Sequence, residues 1–417
     1  MVETDTEENS SEKTIQEKIL LRLMQEERKP VTDFSAGGSV VTSPLVRNGV
    51  VYFGSCDKNF YALDAENGKM LWSFPTEGPV VSPPSIRSNS IYFGSYDRNL
   101  YAVSLNGKLK WKFPAQERIF SKPSVFQERV YFGSCDGVLY SVNARTGKCL
   151  WKFKTNAPIL SQPKIYKKTI FFGSNDYNFY ALTLDGKPKW KFETGKEAGF
   201  FNSVIYNDTV YFGSFDSHIY ALKANTGNLL WKFDATKPPN TPIKRKDNFL
   251  FFGTRTHFYA INTEGKLVWK LPIGNHAGSG VSVFRDMVFF SGNDNHLYGV
   301  DAKTGKVVWK FRANGYISHT CPAFYNGKIY FGCWDCSLYC VTQNAELVWR
   351  FETSLSCPSL VFSEQNGQET EKQPIEWEET EEKETELEEK KEFEYGEPSE
   401  DYTGELKNYL KGKKYMD

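Results

Sequence analysis

Three cysteines crowded into eight positions, Cys333, Cys336 and Cys340, are the residues of this chain best equipped for chemistry. A C-x2-C pair with a third thiol close behind is a pattern that zinc or redox sites use, because thiolates are soft, strong ligands. The surrounding sequence argues for a plainer role. Cys333 stands where an earlier repeat has Ser55, and Cys340 where it has Ala62. Small buried strand positions suit a free cysteine, which packs as a small hydrophobe. The expectation is therefore no bound metal, with these three as the weak alternative. Five histidines form the second group. His218, His257 and His296 recur at one turn, where other repeats have Asn59, Asn99 and Asn178. His276 and His319 fall in loops that lead into new repeats, together with Lys122, Gln162, Phe200, Asn202 and Tyr316. Aromatic, amide and basic groups gathered on one rim could bind a peptide or an anion, and this set is the candidate binding face. Evenly spaced aspartates, Asp57, Asp97, Asp136, Asp176, Asp216, Asp294 and Asp335, form the third group. At a repeated turn a carboxylate ordinarily accepts nearby backbone N–H bonds, so no catalytic residue is assigned among them.

What positions these residues is a repeat. The unit Val51-Tyr52-Phe53-Gly54 through Tyr61-Ala62-Leu63 to Gly68-Lys69-Met70-Leu71-Trp72 returns eight times, closing on Trp72, Trp111, Trp151, Trp190, Trp231, Trp269, Trp309 and Trp349. A spacing of about 40 residues belongs to propellers and arrays. Within each copy the apolar period is two, which is strand chemistry. In the second copy, Ser82–Ile86, Ser90–Gly94, Leu100–Val103 and Leu109–Phe113 read as four strands, and Asn106-Gly107 as a hairpin turn that needs positive φ. The fold class is thus all-β: an eight-bladed β-propeller of four-stranded antiparallel blades. The recurrent Gly54, Gly94, Gly133, Gly173, Gly213, Gly253 and Gly332 are expected to permit close backbone approach. The sixth copy, Phe252-Gly253-Thr254-Arg255-Thr256-His257, lacks the turn aspartate and is one residue short, so its turn should differ.

The segments Ala62-Leu63-Asp64-Ala65-Glu66-Asn67-Gly68-Lys69-Met70-Leu71-Trp72 and Val300-Asp301-Ala302-Lys303-Thr304-Gly305-Lys306-Val307-Val308-Trp309 resemble the tryptophan-docking repeat of the pyrroloquinoline-quinone (PQQ) repeat family. The resemblance covers about residues 31–361. It implies that each tryptophan packs on the glycine turn of the neighbouring blade. Many members bind no quinone, so no cofactor is expected. A quinoprotein dehydrogenase would also need a catalytic aspartate, calcium ligands, in many cases adjacent cysteines, long loop insertions and an oxidising compartment; no adjacent cysteine pair, signal peptide or long insertion is read here. The expected function is a non-catalytic interaction platform with a protein or peptide partner; the alternatives are a PQQ-dependent dehydrogenase and a regulatory sensor.

Three regions are expected: a polar N-terminus with an amphipathic helix (1–29), the propeller (30–361) and a Glu-rich disordered tail with a possible short terminal helix (362–417). Ile15, Ile19, Leu20, Leu23 and Met24 carry the helical spacing. Lys29–Phe34 aligns with the end of a fourth strand and Ser356–Val361 reads as another first strand, so the ring is expected to close by overlap of the two ends. Formal net charge is zero, yet residues 362–417 carry about 19 acidic and 8 basic groups, leaving the repeat region strongly basic. Lysines beside the tryptophans, such as Lys112 and Lys152, are spread round the circumference, so nucleic acid is not an expected partner. No stretch reads as a signal peptide or membrane span, and a monomeric, cytoplasmic protein with reduced cysteines is expected.

Overall fold

The computed structural model describes residues 38–198, 202–273, 277–292, 294–317 and 319–353. They form eight four-stranded antiparallel sheets, each built from consecutive strands. The first blade holds Leu45–Arg47, Val50–Gly54, Asn59–Asp64 and Met70–Pro75; the last holds Ala323–Tyr325, Lys328–Cys333, Ser337–Thr342 and Leu347–Glu352. The second and third strands are buried almost throughout, whereas the fourth alternates exposed and half-buried residues. That pattern follows from position: middle strands have a neighbouring blade on both faces, and the outer strand has one wet edge. A bulge recurs between the third and fourth strands, at Ala62/Leu63 and its equivalents. The predicted helix (12–28) and tail (362–417) lie outside the described residues, as do the two stretches expected to overlap at closure.

The core is divided into eight apolar clusters, each between adjacent blades. Between the first and second blades, Tyr52, Phe60 and Ala62 meet Val80, Ile91 and Phe93, with Phe60 stacked on Phe93 at 4.2 Å. Each such aromatic pair adds about 0.5–1.5 kcal/mol beyond area burial. The recurrent glycines do what their spacing suggested. A Cβ on Gly54 would strike Val80, one on Gly94 would strike Ile119, and one on Gly133 would strike Ile159. The side chain at the mouth of each new blade therefore sits on its predecessor's second strand.

Seven tryptophans dock as the repeat implies. Trp72 Nε1 donates to the Leu105 carbonyl at 3.0 Å, and a Cβ on Gly107 (φ +78) would lie 2.8 Å from the indole. Trp111, Trp151, Trp190, Trp231 and Trp269 repeat this bond one blade on. Trp349 completes the circle by donating to Ala65 O at 3.1 Å, over Gly68. The remaining contacts at that junction are the ones used elsewhere. Val40 N donates to Cys333 O at 3.0 Å, just as Val80 N donates to Ser55 O. Tyr330 Oη donates to Ala65 O, as Tyr92 Oη does to Ala144 O. Among the described residues the ring thus closes by blade docking, with every blade complete in its own sequence.

Candidate functional site

Two ends of the blades are candidates for function. One end, the mouth face, carries the turns between second and third strands and the connections between blades. The other, the turn face, carries the turns joining first to second and third to fourth strands.

On the mouth face the aspartates are spent on architecture. Asp97 accepts from Asn99 N and from Tyr101 Oη (2.9 and 2.7 Å) within its own blade, and from Glu77 N (3.1 Å) of the preceding one. Asp136 and Asp176 do the same with Tyr140 and Gln116, and with Tyr180 and Asn156. Asp216 accepts from Tyr220 and Gly195. Burial alone would raise the Asp216 carboxyl, but the bonds from Tyr220, Gly195 and His218 outweigh it and hold the carboxyl below its usual value. The tyrosines respond in the opposite sense: burial, then the Asp216 bond, pushes Tyr220 well above the normal phenol range. The sixth blade differs as expected. Thr254 Oγ1 caps its shortened turn by accepting from His257 N, and Tyr259 Oη turns to the Ala235 carbonyl at 3.1 Å.

The histidines at these turns behave as the asparagines they replace. Asn59 Nδ2 donates to Asp57 O at 3.1 Å; His218 Nδ1 and His296 Nδ1 meet the Asp216 and Asp294 carbonyls at 3.0 and 2.8 Å. His257 Nδ1 lies 3.0 Å from Thr256 Oγ1. Of the expected binding face, Gln162 is tied in: its N–H donates to Asn202 Oδ1 at 2.8 Å and its Nε2 to Ser124 Oγ at 3.1 Å. Equivalent bonds lace the innermost strands together, as from Ser85 Oγ to Pro123 O at 2.5 Å. Lys122 is half-buried, Tyr316 is 43% exposed, and burial drags the His319 ring down to about 4, although that residue keeps partial exposure. Phe200 and His276 lie outside the described residues.

Cys333 and Cys340 do not share one environment. Cys333 packs between the seventh and eighth blades beside Met287 and Phe289, and Cys340 between the eighth and first beside Val51 and Phe53. The two thiols therefore point to opposite faces of one sheet, because successive strand residues alternate sides. Burial pushes Cys340 up to about 12 and Cys333 well above the thiol range. Cys336, buried at the turn, is disulfide-bonded, which departs from the expectation of uniformly reduced cysteines. Six cysteines are free, and Cys357 lies outside the described residues. No group of three or more His, Cys, Asp or Glu could hold a metal among the described residues.

Residues 19–238 match the family model described as the beta-propeller of beta-alanine-activating enzyme. The chain belongs to that propeller family. Residues 215–358 also match the model of the outer membrane protein assembly factor BamB, so this is a PQQ-repeat, quinoprotein-like propeller. Solved structures agree on the fold. A computationally designed protein, Ika8, shares 16% identity at TM-score 0.66, covering 74% of this chain and 97% of that one. BamB from Moraxella catarrhalis shares 17% at 0.57, covering 65% and 85%. A europium-containing methanol dehydrogenase shares 14% at 0.61, covering 73% and 84%. No curated protein matches.

In this family member the turn face carries a feature that the sequence reading passed over. Its turns and flanking strand residues hold about 17 Lys and Arg against 10 Asp and Glu, whereas the mouth face holds about 11 against 13. The lysine that follows six of the seven turn glycines, Lys69, Lys108, Lys148, Lys187, Lys266 and Lys306, is exposed; Gly227 is followed by Asn228. Beside them the outer strands start on exposed aliphatics: Met70 and Leu71, Leu109, Leu150, Leu229 and Leu230, Leu267. The signal was present as the recurring Gly-Lys pair; attention to the mid-strand lysines hid it.

Proposed function

We propose that this propeller is a non-catalytic binding module that presents its mouth face to a protein or peptide partner. The observation that carries the reading is the use of the turn carboxylates. Asp97, Asp136, Asp176 and Asp216 each bind a tyrosine hydroxyl and backbone N–H groups from two blades. A carboxylate so committed is poorly placed to act as a base. Lys122 and Tyr316 supply the basic and aromatic groups for recognition. The alternative, a PQQ-dependent dehydrogenase, draws support from the likeness to a methanol dehydrogenase structure. Titration with PQQ and calcium separates the two: a quinone spectrum perturbed stoichiometrically, with dye reduction, would favour the enzyme. Replacing Lys122 and Tyr316 by alanine should weaken a partner interaction by tenfold or more, while an unchanged affinity would remove the mouth face from consideration.

Among the described residues no helix is long and apolar enough to cross a membrane. Residence in the cytoplasm is part of the proposal, and it requires that the Cys336 disulfide be open in the cell, which thiol trapping on collection checks. An oxidised Cys336 would place the chain in an oxidising compartment, where disulfides persist.

A further inference from the structure

We propose that the turn face is occupied by the acidic segment Glu364–Glu400 of this same chain, docked on the lysine rim that runs from the seventh blade across the first to the second. Three observations converge. The charges are complementary: the segment holds about 16 Glu against 4 Lys, and the turn face as a whole holds about 17 Lys and Arg against 10 Asp and Glu. Lys69, Lys108 and Lys306 are exposed on this rim, and none has an acidic partner among the described residues, unlike Lys266, which lies 3.6 Å from Glu264.

The apolar pattern is complementary too. Between its glutamates the segment places Ile375, Trp377, Leu387, Phe393 and Tyr395. The rim answers with Met70 at 48%, Leu71 at 50% and Leu109 at 50% exposure, an unusual show of aliphatics next to lysine. Charge gives attraction and register, and the apolar anchors give the contact that salt cannot screen.

The chain's path permits it. The eighth blade ends at Glu352 on the mouth face, one strand length, about 20 Å, from the turn face. Residues 354–363 can span about 33 Å when extended. The acidic segment therefore begins within reach of the turn face. At the eighth blade that face offers Glu346 in place of lysine, so the nearest favourable sites are Lys306 on one side and Lys69 and Lys108 on the other. The occupied face is not the one assigned to the partner above, and the two proposals stand or fall separately.

Zero-length carbodiimide cross-linking of the dilute full chain, mapped by mass spectrometry, tests the docking. Glutamates of 364–400 should join Lys69, Lys108 and Lys306 several-fold more often than the mouth-face Lys122, Lys196 and Lys237. The yield should be independent of protein concentration and should fall at high salt. Equal yields on both faces, an absence of such links, or links found only between isotopically distinct chains would overturn it, the last in favour of a second copy. An immobilised polyanion, heparin, gives an independent reading. The wild-type chain should elute several-fold earlier in salt than a chain whose segment glutamates are changed to glutamine. Equal retention would mean that the face is open to external anions such as nucleic acid, and the proposal would fail. Near-UV circular dichroism shows whether the variant keeps its fold, and the cross-linking stands on the wild-type chain alone.

Discussion

Trp309 sits where a Cβ on its cross-strand partner Gly299 would come within 2.5 Å of the indole. The other blades put alanine, serine or cysteine at that position, as at Ala62, Ser141 and Cys340. The turn that should receive Trp309 is also altered: Ala345, at φ 64, replaces the turn glycine. Among the described residues Trp309 makes no indole N–H bond of the kind its seven counterparts make. A small apolar recess lined by Phe284, Met287, Phe289, Trp309 and Gln343 marks the place. The glycine that the neighbouring blade lacks has in effect been moved into the tryptophan's own sheet.

Gly299→Ala should therefore destabilise the protein by about 1–3 kcal/mol, the cost of overpacking. Ala345→Gly should stabilise it by about 0.5–1 kcal/mol by relieving positive φ. Urea unfolding of both variants checks the pair; a neutral Gly299→Ala would mean that the indole has room to shift.

At a regular junction the same glycine logic gives a larger effect. Gly107→Ala combines φ +78 with a Cβ 2.8 Å from Trp72, and should cost about 2 kcal/mol or more. Trp72→Phe keeps most of the packing and loses the bond to Leu105 O, for about 1 kcal/mol plus the lost area. Thermal unfolding should rank Gly107→Ala below Trp72→Phe.

The Asp216–Tyr220 staple sets pH limits with opposite signs. The Asp216 carboxyl is held below its unfolded value, so its contribution is present above about pH 4 and is lost as pH falls further. Tyr220 is held above its unfolded value of 10.0, so its contribution is full below that pH and is lost as pH rises past it. Asp216→Asn should flatten the acid limb of a stability profile, and Tyr220→Phe the alkaline limb. Parallel profiles for wild type and variants would remove the staple from the account.

Thiol chemistry should follow burial. Cys149 is exposed, whereas Cys56, Cys333 and Cys340 are buried, and burial holds Cys56 near 12. In the native state an aromatic disulfide reagent should label Cys149 first, and Cys333 and Cys340 only on unfolding. Early labelling of Cys333 would indicate an open seam between the seventh and eighth blades.

The fold was legible because it is written eight times. Each Tyr-Phe-Gly run, each turn Asp and each Trp marks the same place, so errors in one copy are outvoted by the others. The candidate site was less legible. The mouth-face set was assembled from loop position alone, and only packing showed that Gln162 and Asn202 bind each other. The cysteines looked like one cluster because eight positions are few along a chain, yet two of them lie on opposite sides of a sheet.

The repeated unit by itself determined the number of blades and their strand order, since these depend on local period and turn chemistry; the docking of the tryptophans was implied by the family resemblance. Three-dimensional packing decided what sequence distance conceals: that Val40 and Trp349 close the ring with bonds used at the covalent junctions, that the turn aspartates reach into the preceding blade, and that lysines spaced 40 residues apart gather on one face. The physical reason is common to all three. In a closed ring each blade's chemistry is completed by its neighbour, and a neighbour is defined by space.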